Sequence, residues 1–144
     1  MVDKIDIVIP WVDDQDTNWL KKKNTYSSTD SRVGEYATEN RYRDYNTLKF
    51  VLRSIDKFMP WVNNVFLITD NQKPEWLDIR TVNLVDHMEF IQGSLPTFNS
   101  NAIMTNIGNI PNLSEHFIVF NDESIVWDET KGTDFFKNGL PVDS

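Results

Sequence analysis

The sequence contains no cysteine and no long apolar segment, and these two absences exclude whole classes of protein. Without cysteine there can be no disulfide, no thiolate metal site and no cysteine nucleophile, and a reducing compartment is favoured. No apolar run approaches the ~20 residues of a membrane-spanning helix, and the N-terminus lacks a signal-peptide pattern. We therefore expect no integral membrane segment and a cytoplasmic location, with any membrane association made through partners.

Basic residues are also scarce. The 14 Lys and Arg residues stand against 22 Asp and Glu residues, so the formal net charge is -8. An acidic surface repels a phosphate backbone, so nucleic-acid binding as a general function is disfavoured and we expect no nucleic-acid partner. It suits a protein that holds a divalent cation. The 144 residues, 40% of them hydrophobic, are enough for one globular domain.

Short apolar runs alternate with helical or polar segments along the chain. The predicted strands are Lys4 to Val12, Asn64 to Thr69, Thr81 to Val85 and His116 to Phe120. The predicted helices are a short one from Asn18, followed by a long loop to Glu39, then Tyr45 to Phe58 and Asn99 to Ile107, with single turns at Glu75 to Asp78 and Thr133 to Lys137. Continuous apolar strands alternating with helices predict an α/β fold with a mostly parallel, Rossmann-like sheet flanked by helices.

Polar side chains follow the predicted strands where each one ends. They are Asp13, Asp14 and Asp16; Asp70, Asn71 and Gln72; Asp86 and His87; and Asn121, Asp122 and Glu123. Ligands of open α/β sheets bind at the carboxyl ends of strands, so convergence of these groups predicts a cleft for Mg²⁺ or Mn²⁺ and a diphosphate. Asp and Asn also follow strands simply because they form turns. We favour a site for the whole set, although turn formation explains any one cluster.

Individual residues carry this hypothesis further. Asp122 and Glu123 are adjacent carboxylates, and a cation is the usual reason to tolerate their repulsion. Arg53 lies in a predicted helix and suits bidentate phosphate binding, or else belongs to a solvated face. His87 is either a general base or a hydrogen-bonded structural histidine. Trp11, at a strand end, is a candidate for stacking on a base or sugar, whereas core packing is the default for the other tryptophans.

Several linked segments, in order, resemble the Stealth family. IDIVIPWVDDQD (Ile5 to Asp16) resembles its first conserved block, and RYRDYNTLKFVLRSIDKFMPWVNNVFLITDNQKPEWL (Arg41 to Leu77) resembles the start of its second block. VDHMEFI, LPTFNSNAI and LSEHFIVFNDES continue that block in the expected order. The family includes bacterial capsular polysaccharide phosphotransferases and the animal N-acetylglucosamine-1-phosphotransferase that marks lysosomal enzymes.

The resemblance implies a glycosyltransferase-A-like, nucleotide-sugar-binding domain over residues 1–144. It implies transfer of a hexose-1-phosphate from a nucleotide-sugar donor, such as UDP-N-acetylglucosamine, to a saccharide acceptor in capsular or exopolysaccharide synthesis, with release of UMP and a requirement for Mg²⁺ or Mn²⁺. The positions carried over for donor binding are Trp11, Val12, Asp13, Asp16, Arg53, Asn99 and Ser100. Those carried over for catalysis are Asp122, Glu123 and His87, and the first two also hold the metal.

The chain departs from the family pattern in three respects. The family usually has two aspartates where this chain has Asp122 and Glu123, and Met104 stands where members often carry a glutamate. The later blocks, with a histidine implicated in catalysis, do not follow, so we interpret the chain as a fragment of a longer enzyme. Two alternatives stay open. One is a metal-dependent glycosyltransferase that releases UDP, which the Asp14-Gln15-Asp16 pattern fits; the other is a non-catalytic nucleotide-sugar-binding remnant.

Overall fold

A computed structural model describes residues 4–13, 16–29, 47–78, 80–92 and 100–142. The main elements are β1 (Ile5–Pro10), α1 (Thr17–Thr29), α2 (Leu48–Phe58), β2 (Val65–Thr69), β3 (Asn83–Asp86), α3 (Ser100–Thr105) and β4 (His116–Val119), followed by a hairpin of β5 (Phe136–Lys137) and β6 (Leu140–Pro141). Short 3-10 turns occupy His87–Glu89, Ile107–Asn109 and Gly132–Asp134.

The four longer strands form one sheet in the order β3-β2-β1-β4, and every neighbouring pair is parallel. The predicted parallel α/β fold is therefore confirmed. Ile7 of β1 pairs with Val65 on one side and with Ile118 on the other, so β1 is central. The chain adds β2 and β3 on one side of β1 and then returns to place β4 on the other. This reversal creates a topological switch point between β1 and β4, where ligands of such sheets bind.

Both faces of the sheet are covered, which explains why the strands read as continuous apolar runs. Ile7 and Ile9 belong to an apolar cluster with the buried face of α2. Val8, which points to the opposite face, belongs to a second cluster with Ile107 and Ile110. Helix α2 presents Leu48, Val51 and Ile55 to the sheet at helical spacing, and it ends before Pro60 as predicted. Its described part begins at Leu48, whereas the prediction began at Tyr45.

The segment after β4 runs along α2 and contacts it at three levels. The hydroxyl of Thr47 donates to the carbonyl of Asp122 at 2.9 Å. Further along, the Val126 N–H donates to the Ser54 hydroxyl at 3.1 Å, and the Thr130 N–H donates to the Phe58 carbonyl at 3.0 Å. These contacts hold Asp122 beside the N-terminus of α2.

Three sequence predictions differ from the structure. Helix α1 begins at Thr17 and has 13 residues, whereas the prediction was a short helix from Asn18, and the predicted loop beyond residue 29 lies outside the described residues. The helical turn predicted at Thr133 to Lys137 is wrong in its second half, because β5 turns into β6 through Asn138 and Gly139, both with positive φ. At Glu75 to Asp78 the chain forms a turn, closed by the Leu77 N–H donating to the Pro74 carbonyl at 3.1 Å.

Asp6 in β1 organises the amino edge of the sheet. Its carboxylate has no exposed surface and accepts from the Asn63 amide and the Asn64 N–H, both at 3.0 Å, and from the Ser114 N–H at 2.7 Å. These donors precede β2 and β4, so one carboxylate fixes how both neighbouring strands enter the sheet. A buried charge with this many donors is stabilising, because each of its hydrogen bonds is charge-assisted.

Candidate functional site

The carboxyl edge of the sheet carries most of the residues that the sequence analysis selected. Trp11, Asp13 and Asp16 follow β1, and Asp122 follows its neighbour β4. His87 follows β3, with β2 between it and β1. Because β1 and β4 are adjacent and parallel, Asp13 and Asp122 both follow strand ends at the carboxyl edge on the two sides of the switch point.

Trp11 extends the ladder past the end of β1, since its N–H donates to the Ile68 carbonyl at 3.0 Å. Its side chain is only 6% exposed and belongs to the apolar cluster shared with α2. The ring is therefore a core residue, and it is not presented for open stacking on a base. Its indole Nε1 is buried and has no hydrogen-bond partner among the described residues, so this N–H is the group that a ligand would use.

Asp16 caps helix α1. Its Oδ1 accepts from the N–H groups of Asn18 at 2.9 Å and Trp19 at 3.2 Å, which satisfies donors that the first helical turn leaves unpaired. This structural function explains why a polar segment forms a helix of 13 residues. Residues 14 and 15, which complete the Asp-x-Asp pattern, lie outside the described residues.

Gln72 links the end of β2 to the loop between β1 and α1. The sequence analysis included it among the polar residues that follow the strands but gave it no individual function. Its Oε1 accepts from the Asp13 N–H at 3.0 Å, and its Nε2 donates to the Asp13 carbonyl at 2.9 Å. Nε2 also lies 3.4 Å from Oδ2 of Asp16. The only sequence signal was its place after a strand, because its partner Asp13 lies 59 positions away.

A polar cluster of Lys22, Asp70 and His87 lies beyond β2 and β3. Lys22 Nζ is 2.9 Å from Asp70 Oδ1, whereas Asp70 Oδ2 is buried without a hydrogen-bond partner among the described residues. His87 is 3% exposed, and its Nδ1 is likewise buried and unpaired. Burial lowers the pKa of His87, and the carboxylates of Asp70 and Asp86 offset only part of that effect. The imidazole is consequently neutral at pH 7, which is the state that a general base requires.

Asp122 and Glu123 lie in the turn after β4, with Asp122 half-buried and Glu123 exposed. Thr47 makes no side-chain cap for α2, because its hydroxyl bonds the Asp122 carbonyl instead. Arg53 is exposed on α2, about 9 Å along the helix axis from Thr47 at 1.5 Å per residue. Its guanidinium carbon lies 5.8 Å from the centroid of the Phe50 ring, and it forms no ion pair with any described residue.

Two further donor-binding candidates fall at the limit of what the structure describes. Asn99 lies outside the described residues, and Ser100 is the first residue of α3. Val12 is half-buried in the β1–α1 loop. Met104, where the family often carries a glutamate, is exposed on α3. Ser100 and Met104 thus belong to α3, and Val12 belongs to the segment that follows β1.

A divalent cation at this edge would need oxygen ligands from the acidic side chains. Within the described ranges, no group of three or more His, Asp or Glu side chains is arranged to hold a metal ion. Mg²⁺, however, is commonly bound by one or two carboxylates together with substrate phosphates and waters. Asp122 and Glu123 offer hard oxygen ligands of that kind. The residues therefore fit a cation whose coordination a bound diphosphate completes, and they do not form a closed protein cage.

The model of Stealth protein CR2, conserved region 2, matches residues 41–142 of this chain. The chain belongs to the Stealth family. The match includes α2, all of the sheet except β1, and the turn that carries Asp122 and Glu123. The carboxyl edge of this Stealth domain thus combines a matched segment with the β1 segment that precedes it.

Named relatives of this Stealth chain are phosphotransferases. It is 46% identical to the receptor polysaccharide phosphotransferase WefC of Streptococcus oralis over 145 residues, covering 97% of the chain and 44% of that protein. It is 45% identical over 144 residues to the exopolysaccharide phosphotransferase cps2G of Lactiplantibacillus plantarum, covering 97% and 42%. It is 46% identical over 141 residues to the capsular polysaccharide phosphotransferase fcs1 of Haemophilus influenzae, covering 94% and 39%.

The chain spans less than half the length of each of these relatives. Within the described residues, no helix combines the length and apolarity that crossing a bilayer requires.

Proposed function

We propose that this Stealth chain forms the donor-binding part of a sugar-phosphate transferase that acts in capsular or exopolysaccharide synthesis. The observation that carries the proposal is the adjacency of β1 and β4, the parallel strands that Asp13 and Asp122 follow, together with the bond from Thr47, at the N-terminus of α2, to the Asp122 carbonyl. The donor is a UDP-sugar resembling UDP-N-acetylglucosamine. The product is a phosphodiester to a saccharide hydroxyl, with UMP as leaving group.

The charges around this junction support a diphosphate ligand. The first N–H groups of α2 have no partner within the helix, and a helix N-terminus attracts anions. Arg53, which the family resemblance assigns to phosphate, is exposed on α2 and pairs with no described carboxylate. When bound, Mg²⁺ or Mn²⁺ on Asp122 and Glu123 would neutralise phosphate charge. Trp11, Val12, Asp13, Asp16, Asn99 and Ser100 line the nucleotide and sugar in this proposal.

His87 is the base that this chain offers. In the proposed step the acceptor oxygen attacks the sugar-linked phosphorus, its proton moves to the neutral imidazole, and the bond from that phosphorus to the oxygen of UMP breaks. The unpaired Nδ1 and the lowered pKa of His87 support this assignment. His87 lies one strand beyond β2, so the donor has to extend across the end of β2. A base supplied by another part of the protein is the alternative.

The nucleotide product tests the function directly. The intact protein is incubated with UDP-N-acetylglucosamine, a saccharide acceptor and Mn²⁺, and the released nucleotide is identified by chromatography. Release of UMP, with a phosphodiester in the product, is expected. Release of UDP with a plain glycoside would establish the glycosyltransferase alternative, which Asp14-Gln15-Asp16 suggests. Binding of the donor with no product from any acceptor would support the non-catalytic remnant.

A further inference from the structure

We propose that Gln72 is a positioning residue for donor binding, because its buried amide fixes the loop that presents Asp13. The proposal rests on the function proposed above, since it assumes that this loop contacts the donor. It concerns a residue that has no assigned part in binding or catalysis.

The first step is the geometry of the amide. Gln72 is 5% exposed, and its side chain makes a reciprocal pair of hydrogen bonds with the N–H and the carbonyl of Asp13, at 3.0 and 2.9 Å. The last backbone contact between β1 and β2 is the Trp11 N–H donating to the Ile68 carbonyl. The Gln72 side chain supplies the next rung of the ladder after the backbone of β2 has turned away. It therefore fixes the orientation of the peptide units on both sides of Asp13.

The second step is the support of Gln72 itself. The Thr69 hydroxyl donates to the Gln72 carbonyl at 2.9 Å and accepts from the Gln72 N–H at 3.3 Å. Asn71 has φ of 53°, a conformation that Asn adopts more readily than most residues. Its N–H donates to Oδ2 of Asp86 at 2.7 Å. A continuous series of hydrogen bonds therefore connects β3, the β2 turn and the β1 loop.

The third step is the chemical identity of the side chain. The planar amide of glutamine offers, on two separate atoms, both an acceptor for the Asp13 N–H and a donor for its carbonyl. The same Nε2 lies 3.4 Å from a carboxylate oxygen of Asp16. A carboxylate at position 72 would keep the acceptor, lose the donor and add a negative charge beside Asp16. The glutamine thus joins acidic segments without adding to their repulsion.

The test uses the intact protein and two substitutions at one position. Gln72→Met keeps the approximate volume and removes every side-chain hydrogen bond, whereas Gln72→Glu keeps the acceptor alone. The matched control is Asn63→Ala, which removes an amide hydrogen bond at the opposite edge of the same sheet. Dissociation constants for UDP-N-acetylglucosamine with Mn²⁺ are measured by calorimetry, together with KM, kcat and the thermal midpoint.

Gln72→Met is expected to raise Kd and KM for the donor about tenfold with little change in kcat, because misplacing a binding group weakens the complex. Gln72→Glu is expected to weaken binding further. Asn63→Ala is expected to lower the thermal midpoint while leaving Kd unchanged. If a Gln72 variant does not fold, Thr69→Val, which removes only the hydroxyl that supports Gln72, serves as the second measurement and should raise Kd about threefold.

Unchanged Kd in Gln72→Met, with a thermal midpoint that falls as in Asn63→Ala, would overturn the proposal and leave Gln72 a structural residue. Unchanged Kd in Thr69→Val, should the Gln72 variants not fold, would overturn it equally. Failure of the unsubstituted protein to bind any nucleotide-sugar would instead refute the proposed function, and this proposal with it. The wild-type titration therefore distinguishes the two failures.

Discussion

At the amino edge of the sheet, Asp6 is fully buried and its carboxylate accepts from three donors, whereas at the carboxyl edge three buried polar atoms lack partners among the described residues. The latter are Nε1 of Trp11, Oδ2 of Asp70 and Nδ1 of His87. The buried carboxylate at the edge where the strands begin is thus fully hydrogen-bonded, whereas the edge where the strands end contains buried polar atoms without partners among the described residues.

The difference distinguishes a structural edge from a candidate functional edge. A buried polar group without a partner costs about 1–3 kcal/mol, so folding stability alone would not favour three of them at one edge. Water or a ligand group that bonds them in solution would remove that cost. Asp6 shows that the same fold can satisfy a buried carboxylate completely. The unsatisfied edge is therefore the one where binding is expected.

The largest effect expected on stability is at the amino edge. Asp6→Asn replaces one of two acceptor atoms by a donor that faces another N–H group. The free energy of unfolding should fall by about 2–4 kcal/mol, because the charge-assisted bonds are lost and a buried donor is left unpaired. Urea unfolding measures it, with exposed Asp56→Asn on α2 as the control. A loss equal to that of the control would contradict the structural function of Asp6.

Asp122→Asn at the switch point should act on turnover instead. We expect kcat/KM to fall about a hundredfold, because a ligand of the charge-stabilising cation is weakened, with little change in unfolding. Initial rates of nucleotide release check this prediction. Asp128→Asn, which alters an exposed aspartate further along the same segment, should retain wild-type rates. Rates for Asp122→Asn equal to those of the wild type would contradict the assignment of Asp122 to the cation site.

The pH dependence of folding stability tests the burial of His87 at the carboxyl edge. Burial lowers its pKa in the folded state, so below about pH 6.5 the unfolded chain binds a proton that the folded chain does not. Stability should therefore fall as pH decreases through that value towards the lowered pKa of the folded state. The His87→Gln variant should lose this pH dependence of stability, whereas the His116→Gln variant should retain it. Unfolding curves between pH 5.5 and pH 8 test this prediction. An equal loss of stability at low pH in the wild type and in both variants would contradict it.

The smallest loss of folding stability is expected for an isosteric substitution at the carboxyl edge of the sheet. Asp70→Asn should cost less than about 1 kcal/mol, because ion pairs with a partly exposed partner contribute little. Its partner Lys22 is 42% exposed, and Oδ2 of Asp70 has no hydrogen bond to lose. The same urea experiment gives the value. A cost as large as that of Asp6→Asn would remove the distinction between the edges.

The sheet was predictable because its strands are continuous apolar runs. Helix α1 was underestimated because its sequence, TNWLKKKNTYSST, has little apolar periodicity. The capping aspartate immediately before it was the signal that was missed. The β5–β6 hairpin was missed although Asn-Gly is a strong hairpin signal. The burial of Trp11, which argues against stacking on a base, could not be predicted from the sequence. It depends on packing against α2, which lies far along the chain.

Gln72 shows why part of the candidate site could not be predicted from the sequence. Its type and its place after a strand indicate a turn residue, and nothing local names Asp13 as its partner. The pairing exists because β1 and β2 lie side by side and end at nearly the same level, with Pro10 opposite Ile68. Thr47 is a similar case, because its Asp122 partner lies 75 positions away.

The sequence by itself determined that the chain forms an α/β domain with acidic strand ends and that it shares the segments of the Stealth family. Burial pattern and motif order are local properties, readable along the chain. Only the tertiary structure decided that the strands order as β3-β2-β1-β4, and hence that Asp13 and Asp122 follow adjacent strands while His87 lies beyond β2. Parallel strands pair across long connections, so their order depends on packing of the whole core, which no local segment encodes.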